Sequence, residues 1–189
     1  TCLVALEMQE RLAQLREGWK KEGKAELYMR IGINTGPAVV GNMGSKTRMD
    51  YTMMGDSVNL AARLEGVNKQ YKTETMISGF TYEQAKEFVE VRELDRIRVV
   101  GKKEPVKIYE LLAHKGAIDA KQEQVLKCYN EGYNLYNIRK WNEAAEWFEK
   151  ALSFDETDGP SLTFFERCIT FQIHPPREDW DGVFSFGVK

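Results

Sequence analysis

Cysteine, histidine and proline are scarce in this chain of 189 residues, at three, two and five, and no long apolar run or charge surplus is present. Cys2, Cys128 and Cys168 are odd in number and far apart, with neither a CxxC pair nor a CxH spacing. A disulfide framework and a structural zinc site are therefore excluded, and a reducing, cytoplasmic setting is expected. His114 and His174 have no partner at ligand spacing and no nearby nucleophile, so both read as surface or linker residues. No stretch approaches the roughly 18 consecutive apolar residues of a membrane span, and the first residues lack the basic start and apolar run of a secretory signal. The 27 Lys+Arg and 29 Asp+Glu are interleaved, which leaves no basic field for nucleic acid. Hydrophobic residues make up 42 % of the chain, which excludes disorder and is enough for one globular domain with a small appendage. Thr1 stands inside an apolar periodic pattern, so an upstream segment is expected.

Periodicity divides the chain. Ala5, Met8, Leu12, Leu15 and Trp19 are spaced three and four apart and predict an amphipathic helix over residues 1–22 with that stripe packed in the core. Leu27, Met29, Ile31 and Ile33 alternate with Tyr28, Arg30, Gly32 and Asn34, the period-two pattern of a half-buried strand. Gly36, Gly41 and Gly44 punctuate the next stretch, and Arg48 to Met54 reads as the returning strand of a long hairpin. Asp56 is the expected N-cap of a helix running to about Tyr71. Thr75 to Ile77 reads as a buried strand, and Thr81 with Gln84 as a capping box opening a brief helix. Arg96 to Val100 is expected to pair with Val106 to Leu112. Strands joined by turns and interrupted by helices predict an α+β layer architecture, not a parallel doubly wound sheet.

From about Gly116 the pattern becomes all-helical, and the charge balance passes from +2 over residues 1–119 to −4 over 120–189. The expected division is 1–115, 116–172 and a tail at 173–189. Gly132, Ala144, Phe148 and Ala151 fall at the spacing of a tetratricopeptide-like helical hairpin, in which small residues let two helices approach around an aromatic ring. Glu156 replaces the closing proline of that pattern, and Cys128 and Leu135 replace its Trp and Tyr. Only a partial second unit follows, from Leu162 to Phe171, so the module must lean on the first part or on another protomer.

Chemistry concentrates between Arg48 and Glu65. Asn59 and Arg63 are four residues apart on the predicted helix, so an amide and a guanidinium share one face near the positive helix terminus. A guanidinium offers a planar donor fork to phosphate oxygens, and an amide can bond a sugar or phosphate oxygen beside it. The Gly36–Lys46 segment is no phosphate-cradling loop, because Gly41 is followed by Asn42 and no GxGxxG occurs; its glycines serve turns.

The run Asp50-Tyr-Thr52, Gly55-Asp56-Ser-Val58-Asn59-Leu-Ala61-Ala-Arg63-Leu-Glu65 resembles the second half of the class III adenylyl and guanylyl cyclase catalytic domain. The flanks Arg30-Ile-Gly-Ile-Asn-Thr-Gly36 and Gly101-Lys-Lys-Glu-Pro-Val106-Lys-Ile-Tyr109 share that resemblance, which covers about residues 1–113. It implies part of a ferredoxin-like sheet with helices, and adenylate cyclase activity in bacterial signalling: ATP converted to 3′,5′-cyclic AMP and pyrophosphate. Asn59 and Arg63 match the family's catalytic pair, which stabilises the transition state as the ribose 3′ oxygen attacks the α-phosphorus. Thr52 matches a base-selecting position, where a hydroxyl that accepts from the adenine amino group favours ATP over GTP.

The family also uses two divalent ions, Mg2+ or Mn2+, held by a pair of aspartates in its first half, next to a base-selecting lysine. None of those motifs is present here, so no metal ligand is assigned to this chain. Val100 stands where many relatives carry a phosphate-binding lysine, with Arg98, Lys102 and Lys103 as the nearby candidates to replace it. The resemblance further implies a homodimer with shared sites, in which metal aspartates come from one chain and Asn and Arg from the other. The Trp180-Asp-Gly-Val-Phe184 ending resembles the tails of bacterial cyclases that carry a sensor and membrane spans, which places the full-length protein at the inner membrane face. Its aromatic residues are expected to pack on the protein. The alternative reading is a non-catalytic cyclase-like regulatory or protein-interaction module, favoured by the missing aspartates and by Val100.

Overall fold

Alternation and helical spacing turn into an antiparallel hairpin, a mixed sheet and a set of packed helices in the computed structural model, which describes residues 1–45, 47–98 and 105–183. Helix α1 (Cys2–Lys21) precedes the short strand β1 (Ile31–Ile33), and β2 (Val39–Ser45) pairs antiparallel with β3 (Arg48–Met54). There follow α2 (Asp56–Tyr71), β4 (Thr75–Ser78), α3 (Gly79–Ala85), β5 (Val89–Ile97) and β6 (Val106–His114). The helices α4 (Ala120–Asn137), α5 (Trp141–Phe154) and α6 (Gly159–Ile173) complete the order. The main sheet runs β1-β4-β6-β5, with β1 parallel to β4 and the other pairings antiparallel.

Strand β4 is buried throughout, and successive residues feed opposite faces of the sheet. Met76 joins the core with Leu60, Leu64, Val67 and Tyr71 of α2, whereas Ile77 joins Cys2 and Ala5 of α1 on the other side. The helical part shares the first of these cores: Tyr129, Tyr133 and Tyr136 of α4, Phe148 of α5 and Phe164 of α6 belong to the same cluster as α2. Gly132 faces Phe148 so closely that an added Cβ would lie 2.9 Å from the ring, which is why a small residue stands there. Trp180 sits 5.6 Å from Tyr136, 5.5 Å from Trp141 and 5.6 Å from Phe171, centre to centre. The described part of the tail thus packs on the protein, as its aromatic content requires. Among the described residues no helix is long and apolar enough to cross a membrane.

The structure departs from the sequence expectations at five places. The α1 stripe is core only at Ala5, which is buried with Cys2, while Met8 and Leu15 are 46 % and 40 % exposed. The helix is seated by its Cys2–Ala5 side, with Gln9 Nε2 donating to Met29 O at 2.9 Å, so the Met8 side turns away from the sheet. The strand predicted from Leu27 begins only at Ile31, where the ladder to Thr75 of β4 starts; Leu27 and Tyr28 lie exposed ahead of it. Gly55, not Asp56, is the N-cap of α2, and its φ of 143° is one that glycine tolerates. Ser78, not Thr81, caps α3, its hydroxyl accepting from Thr81 N at 3.3 Å. Finally, β5 begins at Val89, because the charged Arg92 and Asp95 are buried strand residues that break the apolar alternation.

All three cysteines are free and buried. Burial pushes the Cys168 thiol up to about 12 and raises that of Cys2. Native protein at pH 8 is expected to leave Cys168 unmodified by Ellman's reagent, with all three thiols reacting after unfolding in guanidinium. Fast modification of Cys168 in the native state would contradict the packing of α6.

Candidate functional site

Helix α2 is set against β1 at unusually short range. A Cβ on Gly32 would lie 2.3 Å from Ala61 O and 2.4 Å from Glu65 N, so the strand and helix backbones meet where a side chain would stand. A Cβ on Gly36 would likewise meet Ser57 Oγ at 2.2 Å. Hydrogen bonds hold this approach. Asn34 Nδ2 donates to Ser57 O at 3.0 Å, and Asn68 Nδ2 donates to Ile31 O at 2.9 Å. Ser78 Oγ in turn donates to Asn34 Oδ1 at 2.6 Å, fixing the amide that grips the start of the helix.

Leu60 and Leu64 of α2 are buried against the sheet, and beside that stripe Asn59 and Arg63, one turn apart, are exposed to solvent. Arg63 Nη1 donates to the backbone carbonyl of Arg98 at 3.0 Å. Among the described residues no hydrogen bond engages the Asn59 amide side chain. Thr52 lies on β3 opposite Gly41, exposed, three residues ahead of the Gly55 turn that leads into α2. The structure therefore brings Asn59 and Arg63 onto one exposed face and puts Thr52 on the adjoining strand, with no hydrogen bond from Thr52 to either among the described residues. Chemically, the face offers an amide, a forked cation and the partial positive charge of a helix N-terminus, a combination suited to a phosphorylated ligand.

The hairpin beside this face is apolar and uncovered. Val39, Val40, Met49, Tyr51, Met53 and Met54 are all exposed, Tyr51 at 76 %. A divalent ion finds no built site: among the described residues no group of three or more His, Cys, Asp and Glu is placed to hold a metal. Asp50 lies 3.8 Å from Arg48, and Asp56 opens α2. The described residues do not by themselves make a site for Mg2+ or Mn2+. Of the candidates for a phosphate-binding cation, Val100, Lys102 and Lys103 fall outside the described residues. Arg98 is described, and its guanidinium forms an ion pair with Asp181 of the tail.

Two features of the site escaped the sequence. One is the contact of Arg63 with the end of β5. The other lies at the far end of α2, where Tyr71 Oη donates to Asp95 Oδ2 at 2.5 Å and Arg167 of α6 donates to both, at 2.8 Å to Asp95 and 3.0 Å to Tyr71. Burial, with the Asp95 carboxylate beside it, pushes the Tyr71 phenol well above its usual value, so it stays a protonated donor. Arg92 and Asp95, charges set in an apolar strand, were the available signal.

Comparison with known proteins follows the same outline. Residues 1–113 match the adenylate and guanylate cyclase catalytic domain. The chain is 42 % identical over 111 residues to "Adenylate cyclase 1" of Rhizobium meliloti (strain 1021), covering 59 % of this chain and 17 % of that protein. It is 36 % identical over 150 residues to "Adenylate cyclase, terminal-differentiation specific" of Dictyostelium discoideum, covering 74 % of this chain and 7 % of that one. The crystal structure of the adenylyl cyclase CyaB from P. aeruginosa superposes with a TM-score of 0.50 at 36 % identity, over 60 % of this chain and 58 % of that chain. The chain thus spans less than a fifth of the length of these two curated relatives. By the match of residues 1–113 and by its α+β sheet, the chain belongs to the adenylate and guanylate cyclase catalytic domain family.

Proposed function

We propose that this chain supplies the Asn–Arg side of an adenylate cyclase site that converts ATP to 3′,5′-cyclic AMP and pyrophosphate. The observation that carries the reading is the pairing of Asn59 and Arg63 on the solvent side of a helix whose other side is locked to β1 through Gly32, Asn34 and Asn68. A rigid element that presents a guanidinium and an amide suits a reaction in which negative charge builds on a phosphoryl group. The 3′ hydroxyl gives up its proton to solvent as its oxygen bonds the α-phosphorus, and the bond from that phosphorus to the bridging oxygen of pyrophosphate breaks, the electron pair leaving with pyrophosphate. Arg63 stabilises the charge on the phosphoryl oxygens. Asn59 orients the ribose, and the Thr52 hydroxyl accepts from the adenine amino group. Names of relatives such as "Adenylate cyclase 1" support ATP as the substrate.

The reading also assigns a second copy of the chain to this face. The exposed apolar hairpin is the kind of surface that association covers, and a homodimer of the complete protein would bring metal aspartates that lie outside these 189 residues in one protomer to the Asn59 and Arg63 of the other. Residues 116–172 are then a tetratricopeptide-like coupling module and 173–189 its tail. The protein works in the cytoplasm, or at the cytoplasmic face of the inner membrane where an attached segment anchors it. The test is product formation by the complete reading frame with manganese, from ATP and from GTP in parallel. Cyclic AMP made preferentially is the expected result. No product from either nucleotide would overturn the reading and leave a cyclase-like regulatory module.

A further inference from the structure

We propose that Arg167 is a positioning residue for the Asn59–Arg63 face, acting through Tyr71 and Asp95 to fix where α2 stands. The proposal rests on the cyclase reading for its effect on turnover, and on geometry alone for its effect on the helix.

Tyr71 is the last residue of α2, and Arg167 lies in α6, which belongs to the helical part following the catalytic-domain match. Arg167, Asp95 and Tyr71 are all buried, and the guanidinium also lies 5.1 Å from the Tyr71 ring centre and 4.9 Å from that of Phe164. A buried ion pair is weak evidence for stability, since desolvation offsets the attraction. What a forked cation with two fixed acceptors does supply is orientation, because its planar donors accept only one arrangement of partners.

The backbone contacts agree. Thr163 Oγ1 of α6 donates to Gln70 O at 3.2 Å. A Cβ on Gly159, the first residue of α6, would lie 2.4 Å from Tyr71 O and 2.5 Å from Lys72 Cβ, so α6 begins against the very end of α2. The start of α6 is itself tied to the sheet. Arg92 of β5 donates to both oxygens of Asp158 at 2.8 Å and to Glu110 of β6. Helix α6 is therefore a fixed bracket between β5 and the terminus of α2.

At the middle of α2, two turns before Tyr71, Arg63 rests on the carbonyl of Arg98, just past the end of the strand that carries Asp95, and Arg98 is paired with Asp181 of the tail. The middle and the last residue of the helix are thus both referred to β5 and to the C-terminal residues. Arg63 and Tyr71 are eight residues apart, about 12 Å along a helix. Over that distance an α-helix moves as a rod, and a displacement on the order of 1 Å at a reacting centre is enough to cost large factors in rate.

The experiment uses the product of the complete reading frame with Arg167→Lys, Arg167→Met and the charge-balanced pair Asp95→Asn with Arg167→Met. The readouts are kcat and KM for ATP, the thermal midpoint, and hydrogen exchange of the amides of residues 56–71. The balanced pair removes the Arg167 fork without leaving a buried carboxylate unpaired, and its one amide oxygen can still accept from Tyr71 at the cost of the bond from Arg96 N, so it is expected to fold even if Arg167→Met alone does not. Its expected result is a kcat about tenfold lower with KM within roughly twofold, and faster exchange in α2 while β4 and β6 are unchanged. Arg167→Lys keeps the charge without the fork and should recover part of kcat. A folded balanced variant with native kcat and native α2 exchange would overturn the proposal. If the parent protein makes no cyclic nucleotide, the cyclase reading fails instead, and the α2 exchange still decides the role of Arg167.

Discussion

Replacing Arg63 with alanine is expected to lower kcat for cyclic AMP formation by about 10²- to 10³-fold in the product of the complete reading frame, the cost of removing one preorganised donor to developing charge. The fold should not change. Arg63 is exposed, and its recorded bond is to a backbone carbonyl that water can serve equally well. A thermal midpoint within a degree or two of the parent, measured beside the rate, would separate lost chemistry from lost structure. Arg63→Lys keeps the charge and loses the planar fork, so it should recover only part of the rate. Asn59→Ala is expected to act in the same direction, and the double variant to cost less than the two singles combined, since both groups serve one transition state. Turnover unchanged in Arg63→Ala would sink the assignment of this face.

Helix spacing made that face legible from sequence, because residues four apart must share a side wherever the helix packs. The hairpin, α2, β4, β6 and the Gly132–Phe148 approach were equally readable, each from a local signal: turn glycines, a periodic run, a short apolar strand, a small residue opposite an aromatic. What failed to show were features set by partners distant in the chain. The α1 stripe has helical period but no sheet on its Met8 side, and period alone says which residues share a side, not what covers it. Strand β5 starts seven residues ahead of the expected Arg96, and its buried Arg92 and Asp95 are charges that a strand interior accepts only because Glu110, Asp158 and Arg167, distant in the chain, supply their counter-charges. Ser78 and Thr81 are both capping residues three apart, and only the backbone geometry tells which one the helix uses. The site shows the same division. Asn59 and Arg63 were local, whereas the devices that hold α2, Gly32 against its middle and Arg167 at its last residue, are not.

Gly32→Val tests the first of those devices and is expected to be the most damaging single change in the fold, on the order of 3 kcal/mol or more. The reason lies in what the new atoms would meet. Overpacking is cheap where the neighbour is the end of a flexible side chain, but here a Cβ would meet Ala61 O at 2.3 Å, Glu65 N at 2.4 Å and Leu64 C at 3.0 Å, all backbone of α2. The helix can escape only by moving away from β1 as a body. That movement would stretch the Asn34–Ser57 and Asn68–Ile31 bonds and carry Asn59 and Arg63 with it. Gly66 in the same helix is the control, since a Cβ there meets nothing within 4 Å and its backbone is ordinary helix. Gly66→Ala should stabilise by up to about 1 kcal/mol through helix propensity alone. Urea unfolding of the two variants checks both signs, with Gly32→Ala as an intermediate step should the valine not fold. A Gly32→Val protein as stable as the parent would mean that α2 does not lie against β1 at backbone distance, and the geometry of the Asn59–Arg63 face would have to be redrawn.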